Sequence, residues 1–253
     1  MVSRSSDGAP RYSVVIPAYN ESDNISRVLD RLLVDLDSRA DVIIVVDSED
    51  DTTIPVIRDY PDSRVRWLLN TLGRGPARAI KAGIFETTAP VAVVSMADGS
   101  DDPAAIEPLV RLVERGVVIA AASRYMPGGQ QVGAPPLKAF LSKSAGLTLN
   151  LFAGVGTHDA TNSFKAYNTD FVREVGIGSE DGFEIGLELV AKARRLRLPI
   201  AEVPTIWLER DAGVSNFQIR KWLPKYMRWY ALAYGRALTP DELRRRMADL
   251  KPE

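Results

Sequence analysis

The chain contains no cysteine, a single histidine (His158) and almost no net charge, formally -1 over 253 residues. Without cysteine there are no disulfides, no thiolate metal sites and no cysteine nucleophile. One histidine excludes a multi-histidine metal centre. A near-neutral balance gives no general attraction to nucleic acid, so any basic surface must be local. No apolar run approaches the roughly 20 residues that a membrane-spanning helix needs. Residues 1–11 lack the apolar core of a signal peptide and read as a disordered tail. These absences together predict a cytoplasmic enzyme or binding protein, touching a membrane peripherally if at all.

What is present is an ordinary globular composition, 45% hydrophobic and 26% charged. The chain is organised around Val91-Ala92-Val93-Val94-Ser95-Met96-Ala97-Asp98-Gly99-Ser100-Asp101-Asp102-Pro103. A continuous apolar run reads as a buried parallel strand, and open α/β sheets place ligands at the carboxyl ends of such strands. Three carboxylates gathered there repel one another unless a cation sits among them. A hard divalent ion with oxygen ligands fits that requirement. Asp102, directly before Pro103, also suits a helix cap, which leaves Asp98 to face the ligand.

Further strands are predicted at residues 12–17, 42–46, 65–69 and 117–122. Between them run a helix with Ile25, Val28, Leu29, Leu32, Leu33 and Leu36 on one stripe, a helix over 77–86 behind Gly73-Arg74-Gly75-Pro76, and one over about 104–114. This alternation predicts a mostly parallel, doubly wound sheet in one α/β domain over 12–216. Beyond it, residues 126–136 form a glycine- and proline-rich loop suited to a lid. A helix is expected over 137–152, a short strand over 164–167 and a helix over 183–195. A strand over 200–208, broken by Pro204, belongs at a sheet edge. Residues 217–253 form a helical segment. In it Pro224 opens a helix with Tyr226, Trp229, Tyr230, Ala233 and Tyr234 on one face and Lys225, Arg228 and Arg236 along its flank. Such a helix suits an anionic membrane interface, or else simply packs its aromatics on the core. His158 reads as a hydrogen-bonded structural residue.

Val14-Val15-Ile16-Pro17-Ala18-Tyr19-Asn20-Glu21, the Val45-Val46-Asp47 strand end, Gly73-Arg74-Gly75-Pro76-Ala77 with Gly83, and the Asp98 cluster stand in an order and spacing that resembles family 2 glycosyltransferases of the GT-A fold. Ser123-Arg124-Tyr125, Gly128-Gly129, the run from Asp159 to Tyr167 and Glu202-Val203-Pro204 are similar to the branch containing the dolichol-phosphate mannose synthases. The resemblance implies a GT-A domain that transfers a sugar, with inversion, from a nucleotide-sugar donor, GDP-mannose or a UDP-hexose, to a polyprenyl phosphate. It places Pro17, Tyr19, Glu21, Asp47 and Arg74 around the nucleotide and Asp98 on a Mg²⁺ or Mn²⁺ ion, with Ser100 or Asp101 as a second contributor. Arg124, Lys138 and Lys165 would meet the donor and acceptor phosphates, and Asp98, Arg124 and Lys165 would carry catalysis. Arg210 and Ser215 fall in the loop expected to close over the acceptor.

Four positions depart from that pattern. Met96 replaces the first aspartate of the metal motif, Ser48 the second acid after Asp47, Lys165 an arginine and Asn216 a lysine. They leave the donor open, together with two alternatives: a hydroxyl acceptor on a soluble glycan or polysaccharide, and a catalytically degenerate nucleotide-binding homologue. For a hydroxyl acceptor Asp101, Asp102 and Glu184 are the available bases.

Overall fold

The computed structural model describes residues 8–180, 182–209 and 219–249. Strands β1 (Tyr12–Ala18), β2 (Ala40–Val46), β3 (Val65–Leu69) and β4 (Val91–Val94) alternate with helices α1 (Ile25–Val34), α2 (Thr53–Arg58) and α3 (Pro76–Glu86). After β4 come α4 (Ile106–Glu114), β5 (Ile119–Ser123), a short β6 (Gln130–Val132) and α5 (Pro136–Thr148), which continues into a π-helical turn, Leu149–Ala153. The chain proceeds through β7 (Lys165–Asn168), α6 (Thr169–Val175), α7 (Ile185–Arg195), β8 (Ile200–Pro204) and β9 (Ile206–Leu208). Helices α8 (Ile219–Ala233) and α9 (Pro240–Asp249) follow.

Seven strands form one sheet in the order β3-β2-β1-β4-β7-β5-β8, parallel except for β7, which runs antiparallel to both β4 and β5. Because parallel strands are covered on both faces, neighbouring residues serve opposite cores. Val14 and Ile16 pack with α1, α2 and α4, whereas Val15 packs with α3, α6, α7 and α8. A mostly parallel sheet flanked by helices is what the alternation of strands and helices predicts.

The second core presses α3 against the sheet. A methyl group on Gly83 would land on the side chains of Val15 and Val45. We therefore expect Gly83→Ala to destabilise the fold by about 1–3 kcal/mol through overpacking. A lowered thermal midpoint, with the circular dichroism spectrum unchanged at low temperature, would show it.

Several elements differ from the sequence-based expectations. The glycine-rich loop contains β6, which pairs in parallel with β9 in a two-stranded ribbon. The expected strand over 200–208 is two strands, with β8 at the edge of the main sheet and its end at Pro204. Pro204 lacks an N–H, so the chain changes sheets there. Pro224 lies inside α8 and does not open it.

The aromatic face of α8 turns inward. Trp229 and Ala233 are buried, and Tyr226, Tyr230 and Tyr234 pack against the second core. The Tyr234 hydroxyl donates to that of Tyr230 at 2.9 Å, and Tyr230 and Thr148 share a hydrogen bond of 2.9 Å. Arg228 lies over the Trp229 ring, 4.3 Å from its centre, and donates to the carbonyl of Gly178. The aromatic face expected at a membrane interface is therefore part of the core. Among the described residues no helix is long and apolar enough to cross a membrane.

Candidate active site

Parallel strands share a carboxyl edge, and the antiparallel β7 begins at that same edge. Sequence-distant residues therefore meet there: Tyr19 and Glu21 after β1, Asp47 after β2, Asp98 after β4, Arg124 after β5 and Lys165 at the start of β7.

At the β1–β2 end, two loops are stapled together. The backbone N–H of Asn20 donates to the carboxylate of Asp51, and the N–H of Thr52 donates to the Asn20 side-chain carbonyl. Asn20 holds a left-handed backbone, φ 54°, which asparagine tolerates better than most residues. Pro17 is buried within β1, Tyr19 is exposed, and Glu21 accepts from the side-chain amide of Asn24. Asp47 accepts from the Asn70 amide at 2.7 Å and from the Gly75 N–H at 2.8 Å. Both contacts fix the turn that carries exposed Arg74. Asp47 thus shapes the loop at the start of α3. Its partner Asn70 was not among the expected site residues.

Below β4, Asp102 caps the 3₁₀ turn Pro103–Ala105 by accepting from the Ala104 N–H at 3.1 Å, as the Asp-Pro pair predicts. Asp98 accepts from the Ser100 N–H at 3.1 Å. Asp101 is buried and accepts from the Met96 N–H at 3.0 Å and the Ser95 hydroxyl at 3.3 Å. Burial, reinforced by the neighbouring charge of Asp98, pushes the Asp101 carboxyl up to about 7. Among the described residues no group of three or more histidine, cysteine, aspartate or glutamate side chains gathers to hold a metal. The donors at this corner are all hard oxygens.

Arg124 is a buried cation held by side-chain hydrogen bonds. Its Nε and Nη2 donate to the two oxygens of Asp159 at 2.7 and 2.9 Å, and Nη2 also reaches the Ser142 hydroxyl at 3.1 Å. Burial alone works against the guanidinium charge, but buried Asp159 more than compensates and holds its pKa above the ordinary value. In the sequence Asp159 stands out only as part of the run from Asp159 to Tyr167. An acid preceding a strand at the ligand edge was the available signal for its pairing with Arg124.

Lys165 is fully buried, and its ammonium donates to the backbone carbonyls of Ala160 and Asn162. It holds the 160–162 segment from beneath, and Thr161, Asn162 and Ser163, not Lys165 itself, line the cavity above. The backbone of Lys138 lies in the first turn of α5, and its side chain is outside the described residues. Arg210 and Ser215 also lie outside them. His158 donates or accepts through Nδ1 with Glu202 and through Nε2 with Asn150, which matches a structural role.

Burial lowers Lys165 from 10.5 to about 7. Between those values the unfolded chain binds the proton and the folded chain does not, so stability rises with pH. The contribution is complete above about 10.5 and is lost as pH falls toward 7. Replacing Lys165 with Met should flatten the rise in stability between pH 7 and 9, read from denaturant midpoints. An unchanged slope would show that another group governs it.

A cavity of about 260 Å³ collects these groups. Its polar lining includes Asp98, Ser100, Asp101, Arg124 and Thr161. Its apolar lining comes from α5, α7 and α8 and includes Leu141, Leu187, Tyr226 and Met227. Pro17, Tyr19, Glu21, Asp47 and Arg74 lie outside the cavity, further along the same sheet edge toward β2.

Acidic and basic side chains gathered at the carboxyl edge of a mostly parallel sheet are the setting in which an open α/β enzyme binds its ligands. Residues 13–176 match the Glycosyl transferase family 2 model, and the chain belongs to that family. The chain is 29% identical to the polyprenol monophosphomannose synthase of Mycolicibacterium smegmatis, across 87% of this chain and 86% of that one. It is 31% identical to the undecaprenyl-phosphate mannosyltransferase of Micrococcus luteus, across 81% and 87% respectively. The fold matches glucosyl-3-phosphoglycerate synthase of Mycobacterium tuberculosis, crystallised with Mn²⁺ and UDP, with a TM-score of 0.66. That match spans 91% of this chain and 82% of the other at 18% identity.

Proposed function

We propose that the protein transfers a hexose, with inversion, from a nucleotide-sugar to a polyprenyl phosphate. The observation that carries this reading is the cavity. It joins the Asp98, Asp101 and Arg124 cluster to a wall of Leu141, Leu187, Tyr226 and Met227, a surface suited to a phosphate carrying an apolar tail. The polyprenol-phosphate specificity in the names of both curated relatives supports it.

The oxygen donors Asp98, Ser100 and Asp101 fit Mg²⁺ or Mn²⁺, which accept one or two carboxylates and complete their shell with phosphate oxygens and water. When bound, such an ion neutralises the departing diphosphate. The clash of charge between Asp98 and Asp101 is the feature of this chain that a cation would relieve. Asp47 holds the 70–75 turn against the nucleotide. Arg124, locked by Asp159, presents a fixed positive charge where phosphate oxygens gather, so it stabilises developing charge without reorganising. Lys165 supports the segment that lines the other side.

A phosphate acceptor is already an anion at neutral pH and needs no base. A hydroxyl acceptor does need one, and the acids here are otherwise engaged. Asp102 caps Ala104, Asp101 holds Ser95 and Met96, and Glu184 is buried outside the cavity lining. The donor is a GDP- or UDP-sugar, and mannose is the sugar that the relatives' names favour. The test is a panel of GDP- and UDP-sugars with a short polyprenyl phosphate, in Mg²⁺, Mn²⁺ or EDTA, read by mass spectrometry of the product. One donor should give a glycosyl phospholipid in the presence of metal. Release of nucleotide without a lipid product would overturn the acceptor.

A further inference from the structure

The β6–β9 ribbon pairs Gln130 with Ile206, Gln131 with Trp207 and Val132 with Leu208. Side chains alternate along a strand, so directly paired residues share a face. Gln130, Val132, Ile206 and Leu208 are exposed, whereas the middle pair, Gln131 and Trp207, is half-buried and lines the cavity. The ribbon thus offers the cavity one carboxamide and one indole.

Three hydrogen bonds fix where this pair stands. The Leu208 N–H donates to the carbonyl of Ser100 at 3.1 Å, which holds β9 on the turn that carries Asp98 and Asp101. The Thr205 N–H donates to the carbonyl of Ser123 at 3.1 Å, which joins the ribbon to the end of β5 beside Arg124. The Tyr125 hydroxyl donates to Oε1 of Gln131 at 2.9 Å, and the Arg124 guanidinium lies 5.0 Å from the centre of the Tyr125 ring. The pair is therefore tied both to the acidic turn and to Arg124. A hexose whose diphosphate sits on those groups is brought against the ribbon.

The chemistry of the pair suits a sugar. Because Tyr125 occupies its carbonyl oxygen, Gln131 is oriented, and among the described residues its amide N–H groups have no partner. Such donors call for oxygen acceptors, which hexose hydroxyls supply and an isoprenyl chain does not. The Trp207 ring adds a flat apolar surface that complements the C–H face of a pyranose. A few placed polar groups beside an aromatic wall are what orient a small ligand and set its specificity.

We propose that Gln131 and Trp207 select the donor's hexose: Trp207 carries its C–H face, and the Gln131 amide donates to one of its hydroxyl oxygens. The inference rests on the sugar-transfer reading of the cavity and is independent of the acceptor.

The experiment is calorimetric titration of the full chain, in Mg²⁺, with GDP-mannose, UDP-glucose, the monodeoxy analogues of each, GDP and UDP. For the donor that binds, one monodeoxy analogue should bind about tenfold more weakly than the full sugar, because a site built to pair a hydroxyl rejects the analogue that lacks it. Gln131→Met, of similar length and without N–H donors, should erase that difference. Trp207→Ser should weaken sugar nucleotides about tenfold and leave the matching nucleoside diphosphate unchanged, and Trp207→Phe, which keeps a ring, should recover most of the loss. Trp207→Phe also replaces the serine variant should the latter's circular dichroism melt show a lost fold. A parent indifferent to every deoxy analogue, discrimination that survives in Gln131→Met, or an equal loss of nucleoside diphosphate binding would each overturn the proposal. Binding of neither sugar nucleotide would overturn it together with the donor reading. The expected selectivity, found with transfer to a hydroxyl acceptor, would leave it standing and sink the acceptor reading alone.

Discussion

Replacing Asp98 with Ala is expected to lower transfer by about a thousandfold or more, the scale on which preorganised charge stabilisation contributes. Met96 stands where a second aspartate is expected, so among the described residues lining the cavity Asp101 is the one other carboxylate beside Asp98. Asp101 cannot simply replace it, because its Oδ2 already serves the Met96 N–H and the Ser95 hydroxyl. The loss should appear in kcat with both Mg²⁺ and Mn²⁺ and should match the effect of EDTA on the parent protein. The fold should be untouched, since Asp98 is only half-buried at the mouth of the site. A variant that kept one-tenth of parental turnover would mean that the diphosphate is neutralised elsewhere.

The second large effect concerns stability as much as activity. Arg124 and Asp159 form a buried ion pair with side-chain exposures of 8% and 0%. Removing one partner strands the other charge, and breaking such pairs costs about 3–5 kcal/mol. Asp159→Ala should therefore lower the denaturant midpoint strongly. It should also reduce transfer, because the guanidinium loses both carboxylate contacts and keeps the one to the Ser142 hydroxyl. Arg124→Lys keeps a charge but cannot form the two-pronged contact, so it should recover part of the stability and little of the activity. Comparable activity in Arg124→Lys and the parent would argue that only net charge matters there.

The alternation of apolar strands with striped helices was legible because each period is local: Val14 to Ile16 and Ile25 to Leu32 declare themselves within a few residues. The Asp98 cluster was legible for the same reason, as was the Asp102 cap before Pro103. What could not be read locally was pairing. The antiparallel insertion of β7 between β4 and β5 depends on contacts between Val94, Lys165 and Ala121, residues far apart in sequence. The β6–β9 ribbon joins two three-residue strands whose only signals were a glycine-rich loop and a proline. Helices α2 and α6 are six and seven residues long, too short for periodicity to show.

The orientation of α8 shows the same limit differently. Its aromatic stripe was visible, but a stripe shows that one face is apolar and not what covers it. Trp229 and Ala233 answer that question by being buried against the second core. Lys165 is similar: its identity suggested a phosphate contact, and only the fold placed its ammonium on the carbonyls of Ala160 and Asn162.

The central claim is that the acceptor is a lipid phosphate. It is tested most directly by supplying the enzyme and its preferred donor with equal amounts of a short polyprenyl phosphate and the matching polyprenol, then identifying the products by mass. The expected product is the glycosyl phosphate alone, formed at a rate nearly independent of pH above 7, because the phosphate needs no deprotonation. A glycosylated polyprenol, or equal use of both acceptors, would contradict it.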